Sequence, residues 1–200
     1  LRELSAGRRG LDDFAHRFFK AGNGAEETQT YTFADVCTAL NAVAPNDWSA
    51  FLARHLRSHH AADALAGLSR AGWKLTYTEV PTETFRQDEM DAGVSNLSYS
   101  IGLAVTKSGD VRSVAWQGPA FDAGLAPGVR IQSVNGEPFA PAALEAAVRA
   151  SASVPIKLGF EADGRSVSAS IPYRGPLRYP RLERIAGSND ALAALLQPRR

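Results

Sequence analysis

The most informative part of the sequence runs from residue 100 to residue 139 and reads SIGLAVTKSGDVRSVAWQGPAFDAGLAPGVRIQSVNGEPF. Its first part is an apolar run at 100–106, a turn at Ser108-Gly109-Asp110 and a second run at 111–116. Short apolar runs bounded by glycine and polar residues are typical of strands in a compact β-structure. The first part therefore predicts two strands joined by a turn.

The second part of this stretch carries helix and turn signals in close succession. Pro119 suits the first position of a short helix, and Gly124 suits the left-handed residue that ends it. A strand at 129–134 then runs into Asn135-Gly136, a dipeptide typical of tight hairpin turns. Beyond it, the pattern predicts a helix at about 141–151 and strands at 154–161 and 166–171. These are the last elements of the predicted domain.

This order of parts resembles a PDZ domain over about residues 98–172. One departure is Val129, where the family usually has an aspartate in the turn. The resemblance implies a partly open β-barrel with flanking helices. The matching pieces are the apolar-Gly-apolar loop at 101–103, PAFDAGL at 119–125, the Pro127-Gly128 turn and IQSVNG at 131–136.

The same resemblance implies a site for a peptide C-terminus. Backbone amides of the loop at 101–103 can converge on a carboxylate, and Gly102 has no Cβ to obstruct the approach. A ligand would extend the sheet beside the following strand, opposite the helix at 141–151. The predicted peptide-binding residues are Ser100, Ile101, Gly102, Leu103, Ala104, Val105, Leu144 and Val148. The alternative role for these residues is strand, turn and core packing.

The first part of the chain has the pattern of helices. Leu11, Phe14, Phe18 and Phe19 recur at helical spacing, and Thr32-Phe33-Ala34-Asp35 has the form of a capping box. The alternating residues 73–78 predict a half-buried strand. Further apolar faces that we expect to point inward comprise Val36, Leu40 and Val43; Trp48, Phe51, Leu52 and Leu56; and Leu65 and Leu68.

These patterns predict an α+β, multi-domain chain. A helical module at 1–80 ends in a strand, and the polar, acidic residues 81–97 form a linker. The PDZ domain follows at 98–175. A C-terminal tail at 176–200 contains a short helix. Because the chain opens with Leu1 in a helical pattern rather than with methionine, we expect a fragment of a longer protein.

Pieces on both sides of the PDZ-like stretch resemble the glycyl-aminopeptidase family, which are bacterial zinc metallopeptidases with thermolysin-like chemistry. The resemblance implies that residues 1–80 are the C-terminal part of a peptidase catalytic region. It does not decide between the bacterial cytoplasm and the periplasm. The matching pieces are GLDDF at 10–14, YTFADV at 31–36, DWSAFL at 47–52, LSRAGW at 68–73 and YPRLERI at 179–185.

In that family the zinc is held by an H-E-x-x-H helix, which this sequence lacks. His55 and His59 have the spacing, but Leu56 stands where the catalytic glutamate would be. We therefore expect a solvated helix end there, no catalytic or metal-binding residue, no cofactor and no activity in these residues. Zinc is expected upstream, in the full-length protein. Cys37 is predicted to be a small apolar residue, and Asp12-Asp13 to cap a helix.

The composition excludes several classes of function. With 22 Lys and Arg against 21 Asp and Glu, the net charge of +1 argues against a nucleic-acid binder, including one that uses the basic helix at 54–60. No apolar run has the length of a membrane helix, and one cysteine excludes an internal disulfide. The expected partners are a peptide or protein C-terminus, or the upstream catalytic domain. The alternative is a stand-alone PDZ adaptor without enzyme activity.

Overall fold

The computed structural model describes residues 1–20, 28, 30–57, 61–162 and 164–197. It divides into two compact units, Leu1–Gly67 and Leu68–Arg200, which we call unit 1 and unit 2. The described residues form eight helices and nine strands, and the sheets are open. The predicted α+β class, with a helical first part, is confirmed. None of the helices in the described ranges is long and apolar enough to cross a membrane.

Unit 1 contains α1 (Leu11–Lys20), α2 (Phe33–Val43) and α3 (Trp48–Arg57), and α4 (Ala61–Arg70) spans the boundary between the units. The predicted capping box begins α2: the Asp35 carboxylate accepts the Thr32 amide at 2.8 Å, and the Thr32 hydroxyl accepts the Asp35 amide at 3.3 Å. The core of this unit is small. Among its described residues, the buried apolar ones are Leu40, Ala44 and Trp48.

The apolar face of α1 is not buried, contrary to the expectation from its spacing. No residue of α1 is buried, and Leu11 and Phe19 are 66% and 69% exposed. Leu56 of α3, which we expected to point inward, is also exposed. Periodicity identifies which side chains share a face, but burial requires an apolar surface opposite that face. Within its described residues, unit 1 does not supply that surface.

Unit 2 carries all the strands. They are β1 (Trp73–Thr78), β2 (Val94–Leu97), β3 (Leu103–Thr106), β4 (Val111–Val114), β5 (Arg130–Val134), β6 (Glu137–Pro138), β7 (Ile156–Ala162), β8 (Arg165–Ile171) and β9 (Tyr179–Arg184). The helices that follow α4 are α5 (Glu83–Ala92), α6 (Pro119–Asp122), α7 (Pro141–Arg149) and α8 (Ala191–Leu196).

The strands form three sheets with the orders β2-β3-β4, β6-β5-β7-β8 and β1-β9. All the pairings are antiparallel. The first two sheets and α7 contribute to one apolar core, and in β7 strand alternation places every second residue in it. Core residues with almost no exposure include Leu97, Leu103, Val105, Ile131, Leu144, Val148, Ile156 and Leu158.

The segment 81–97 is not a linker, which corrects the sequence prediction. It folds as α5 followed by β2, and the Thr82 hydroxyl caps α5 by accepting the Phe85 amide at 3.2 Å. The prediction failed because α5 is almost wholly polar: in its sequence ETFRQDEMDA only Phe85 and Met90 are large and apolar, too few for a stripe.

The domain boundary predicted at residue 80 is also corrected, and the predicted tail at 176–200 contains a strand, β9, besides its short helix. β1 pairs along its whole length with β9, from Trp73↔Arg184 to Thr78↔Tyr179. The Thr76 hydroxyl also donates to the Arg181 carbonyl, 105 positions away in the chain. Pro180 obscured β9 because proline counts against a strand. A two-stranded sheet has a free outer edge on each strand, and there a residue without an amide proton is tolerated.

Candidate functional site

The predicted site is built around the loop at 98–102, which joins β2 to β3. Gly102 has a φ of +73°, and a Cβ built there would lie 3.2 Å from the Ala115 side chain. The amides of Ser100, Ile101 and Gly102 all donate to the carbonyl oxygen of Leu97, at 3.0, 3.0 and 3.2 Å. The loop therefore gathers three amides on one acceptor, but they belong to Ser100, Ile101 and Gly102 rather than to the predicted 101–103, and the acceptor is a carbonyl oxygen of the chain itself.

The strand that a ligand would extend has no free edge. β3 lies between β2 and β4, and β2 covers it from Val94↔Thr106 to Leu97↔Leu103. The sequence prediction assumed that the edge beside Leu103 was open. It missed the occupant because the neighbouring strand belongs to the segment interpreted as a linker.

The remaining predicted site residues lie in the same region and are buried. Ala104 is 6% exposed. The residues with 0% exposure are Ile101, Leu103, Val105, Leu144 and Val148. The Ser100 hydroxyl accepts the Arg178 amide at 2.9 Å, which ties the loop to the residue before β9. Of the eight predicted residues, the structure brings five into one apolar core: Ile101, Leu103, Val105, Leu144 and Val148. Their binding of a peptide stays a prediction.

Residues of α5 complete this region, and the sequence reasoning did not identify them. The Asn96 amide donates to the Glu89 carboxylate at 2.6 Å, on the side of β2 that faces away from β3. The Phe85 ring lies 5.3 Å from the Tyr179 ring and 6.3 Å from the Tyr99 ring. Thr82 before α5 and Gly93 after it are ordinary helix start and stop signals, and these were the available clues.

An open groove of about 600 Å³ borders α5, β2 and α7. Partial burial raises the pKa of Glu89, and the nearby Glu145 carboxylate adds to the effect, while the Asn96 amide opposes it. Burial also raises the pKa of Tyr179 to about 12, helped by the same two carboxylates. The groove is lined by Pro81, Arg86, Glu89, Met90, Val94, Lys107, Glu145, Arg149 and Tyr179. Its charges are mixed, so it favours neither a polyanion nor a simple cation.

The other candidates from the sequence have structural roles or lie outside the described residues. The His55 Nδ1–H donates to the Phe51 carbonyl at 2.8 Å, and its ring lies 4.1 Å from the Phe51 ring. His59 and His60 fall outside the described residues. Cys37 is half-buried, and the Asp13 carboxylate accepts the Gly10 amide at 2.6 Å. In the described ranges, no group of three or more His, Cys, Asp and Glu residues could hold a metal ion.

Comparison with known proteins gives a match of fold. An aminopeptidase N family protein from Idiomarina loihiensis is 16% identical, with a TM-score of 0.65 over 98% of this chain and 33% of that chain. The chain thus spans about a third of that protein's length. The PDZ domain of HtrA3, bound to a phage-derived ligand (FGRWV), is 19% identical over 56% of this chain and 91% of that one. Its TM-score of 0.29 is too low to establish a shared fold. No protein-family model and no curated protein sequence matches the chain.

Proposed function

We propose that this chain is the C-terminal, non-catalytic part of a zinc-dependent aminopeptidase, and that it docks on the catalytic part of the same protein. The observation that carries this proposal is the shared fold with a third of an aminopeptidase N family protein, which extends over 98% of the chain and so includes both units. The family resemblance of the sequence pieces at 10–14, 31–36, 47–52, 68–73 and 179–185 supports it.

The exposed aromatic side chains of unit 1 form the docking surface in this proposal. The Phe18 ring lies 5.2 Å from the Phe19 ring and 5.1 Å from the Tyr31 ring, so the three form one cluster. Phe19 and Tyr31 are exposed by 69% and 66%. Clustered apolar side chains on a surface mark an interaction site. In our proposal, the catalytic part of the larger protein covers this cluster.

A stand-alone adaptor that captures peptides would need a free edge on β3. That edge is paired with β2, and the loop amides already donate to Leu97. The closed edge favours docking within one protein over capture of free peptides. In the larger protein the zinc would polarise the scissile carbonyl and activate a water. We place its ligands outside these 200 residues.

The test compares the protein encoded by the whole reading frame with the 200-residue chain alone. We expect the whole protein to hold one zinc per chain by elemental analysis and to release the amine from glycyl and alanyl p-nitroanilides. The chain alone should do neither. A reading frame that encodes only these residues, or a longer one without H-E-x-x-H and without hydrolysis, would refute the proposal.

A further inference from the structure

The segment Val94–Leu97 makes the kinds of contact that the sequence analysis expects of a C-terminal peptide. It pairs antiparallel with β3, as an added ligand strand does in β-augmentation. Its last residue, Leu97, presents its carbonyl oxygen to the three loop amides and buries its side chain to 1% exposure. A free leucine carboxylate would use the same amides and the same apolar site.

The helix α5 holds this segment in place from outside. Glu89 accepts the Asn96 amide at 2.6 Å, so that amide points away from β3. Because amides alternate along an antiparallel strand, the Ser95 amide points toward β3, opposite Val105. The Phe85 ring packs at 5.3 Å from the Tyr179 ring. α5 and β2 therefore cover the edge of β3 together, as one continuous segment of the chain.

The segment formed by α5 and β2 buries few of its side chains in the core. α5 has no buried residue, and in β2 only Leu97 is fully buried, whereas Val94, Ser95 and Asn96 are half-buried. The other sheet, β6-β5-β7-β8, and α7 do not depend on pairing with β2. Release of the segment therefore exposes Leu97, separates Phe85 from Tyr179 and breaks the pairing of β2 with β3, while the rest of the core keeps its own strand pairings.

We propose that residues 83–97 are an intramolecular pseudo-ligand that closes a peptide site, and that their release opens the site to a free C-terminus with a leucine-sized last residue. In the exchange, the ligand carboxylate replaces the Leu97 carbonyl at the loop amides, and the ligand strand replaces β2 on β3. This inference does not depend on the proposed peptidase function, because it concerns contacts within unit 2 alone.

Tethering explains why the closed form dominates. A segment joined by a short connection has an effective concentration of roughly 1 mM. If the untethered segment bound with a dissociation constant of about 10 μM, roughly one molecule in a hundred would be open, and the apparent affinity for a free peptide would fall about 100-fold. Weakening the pairing of β2 should therefore reveal binding that the unaltered chain hides.

The test uses a synthetic peptide with the chain's own residues 90–97, MDAGVSNL, made with a free carboxylate and as its C-terminal amide. The variant Ser95→Pro removes the amide that faces β3, and Ser95→Thr keeps it as the matched control. A second variant, with Phe85→Ala and Glu89→Ala together, loosens α5 and leaves the sequence of β2 unchanged. Binding is measured by titration calorimetry, and exposure of 103–106 by hydrogen exchange.

We expect both loosened variants to exchange faster at 103–106 and to bind the free-acid peptide at least tenfold more tightly than the unaltered chain and Ser95→Thr. The amidated peptide should bind at least tenfold more weakly than the free acid. Three results would each overturn the inference: equal affinity of all variants, faster exchange without carboxylate-dependent binding, or no faster exchange in either loosened variant. None of these measurements involves zinc or hydrolysis, so their failure leaves the proposed function standing.

Discussion

The replacement Leu97→Ala tests whether the α5–β2 segment belongs to the fold of unit 2. Leu97 ends β2 with 1% of its surface exposed and lies in the apolar core with Leu103 and Leu144. Truncating a fully buried leucine removes transfer free energy and leaves a cavity, which together cost about 3 kcal/mol, within a range of roughly 2–5. For a unit of this size, that loss lowers the Tm by roughly 10 °C. The Leu97 carbonyl remains, so the loop amides keep their acceptor.

The assay is native-state hydrogen exchange across a series of urea concentrations, read on the segments 103–106 and 156–171, both in unit 2. Exchange in these segments reports the free energy of unfolding of unit 2 and not that of unit 1. Met90→Ala is the matched control, because Met90 lies seven positions earlier in the chain and is 67% exposed. Its effect on the free energy of unfolding should stay within about 0.5 kcal/mol, as for ordinary surface positions.

Equal effects of Leu97→Ala and Met90→Ala would contradict the expected role of Leu97 in the core. They would mean that β2 contributes no more to unit 2 than an exposed side chain does. A loss near 3 kcal/mol for Leu97→Ala alone would show that residues of the expected linker are part of the core. The comparison depends on the difference between the two variants, so errors in the absolute free energies affect both alike.

Three further predictions concern the loop and two carboxylates. Gly102→Ala should lower the Tm more than Gly124→Ala: both glycines have positive φ, but only the Cβ at Gly102 would meet a neighbour, at 3.2 Å. The Arg130 guanidinium holds the pKa of the Asp110 carboxyl at about 2. The ion pair therefore stabilises the fold when the pH is above the ordinary pKa of an aspartate, and this stabilisation is lost as the pH falls toward 2. Arg130→Leu should therefore raise the pKa of Asp110, as read by NMR titration. Burial raises the pKa of Glu89, so its contribution to stability is lost as the pH rises through that pKa. Glu89→Gln should flatten that part of the dependence of urea midpoint on pH.

The order of elements within 98–172 could be predicted because each element carries local signals. Pro119 begins α6, and Asn135 adopts a positive φ of 52° before Gly136. The apolar positions of β7 alternate in sequence, and they alternate in burial in the structure. Such signals depend on neighbours a few residues away, so a single sequence is enough to recognise them.

The features that the sequence did not reveal depend on distant partners. The polar helix α5 is held by Phe85 against Tyr179, a contact between residues far apart in the chain. β9 is a strand because β1 lies beside it, despite Pro180. The apolar face of α1 was identified correctly as a face, but its exposure depends on what else surrounds unit 1. In each case the local pattern is compatible with more than one environment.

The candidate site shows the same division between local and distant causes. The turn that gathers the amides of Ser100, Ile101 and Gly102 is local, and it lies one residue before the set at 101–103 that the sequence predicted. Whether β3 has a free edge depends on the path of the segment before the loop. An open edge carrying the apolar residues of β3 would be a template for unwanted pairing with other chains. β2 covers that edge, and the Glu89 carboxylate then takes the outward Asn96 amide, so the next edge is blocked by a charge. A ligand strand can therefore reach β3 only by displacing β2, and not by adding to the sheet outside it.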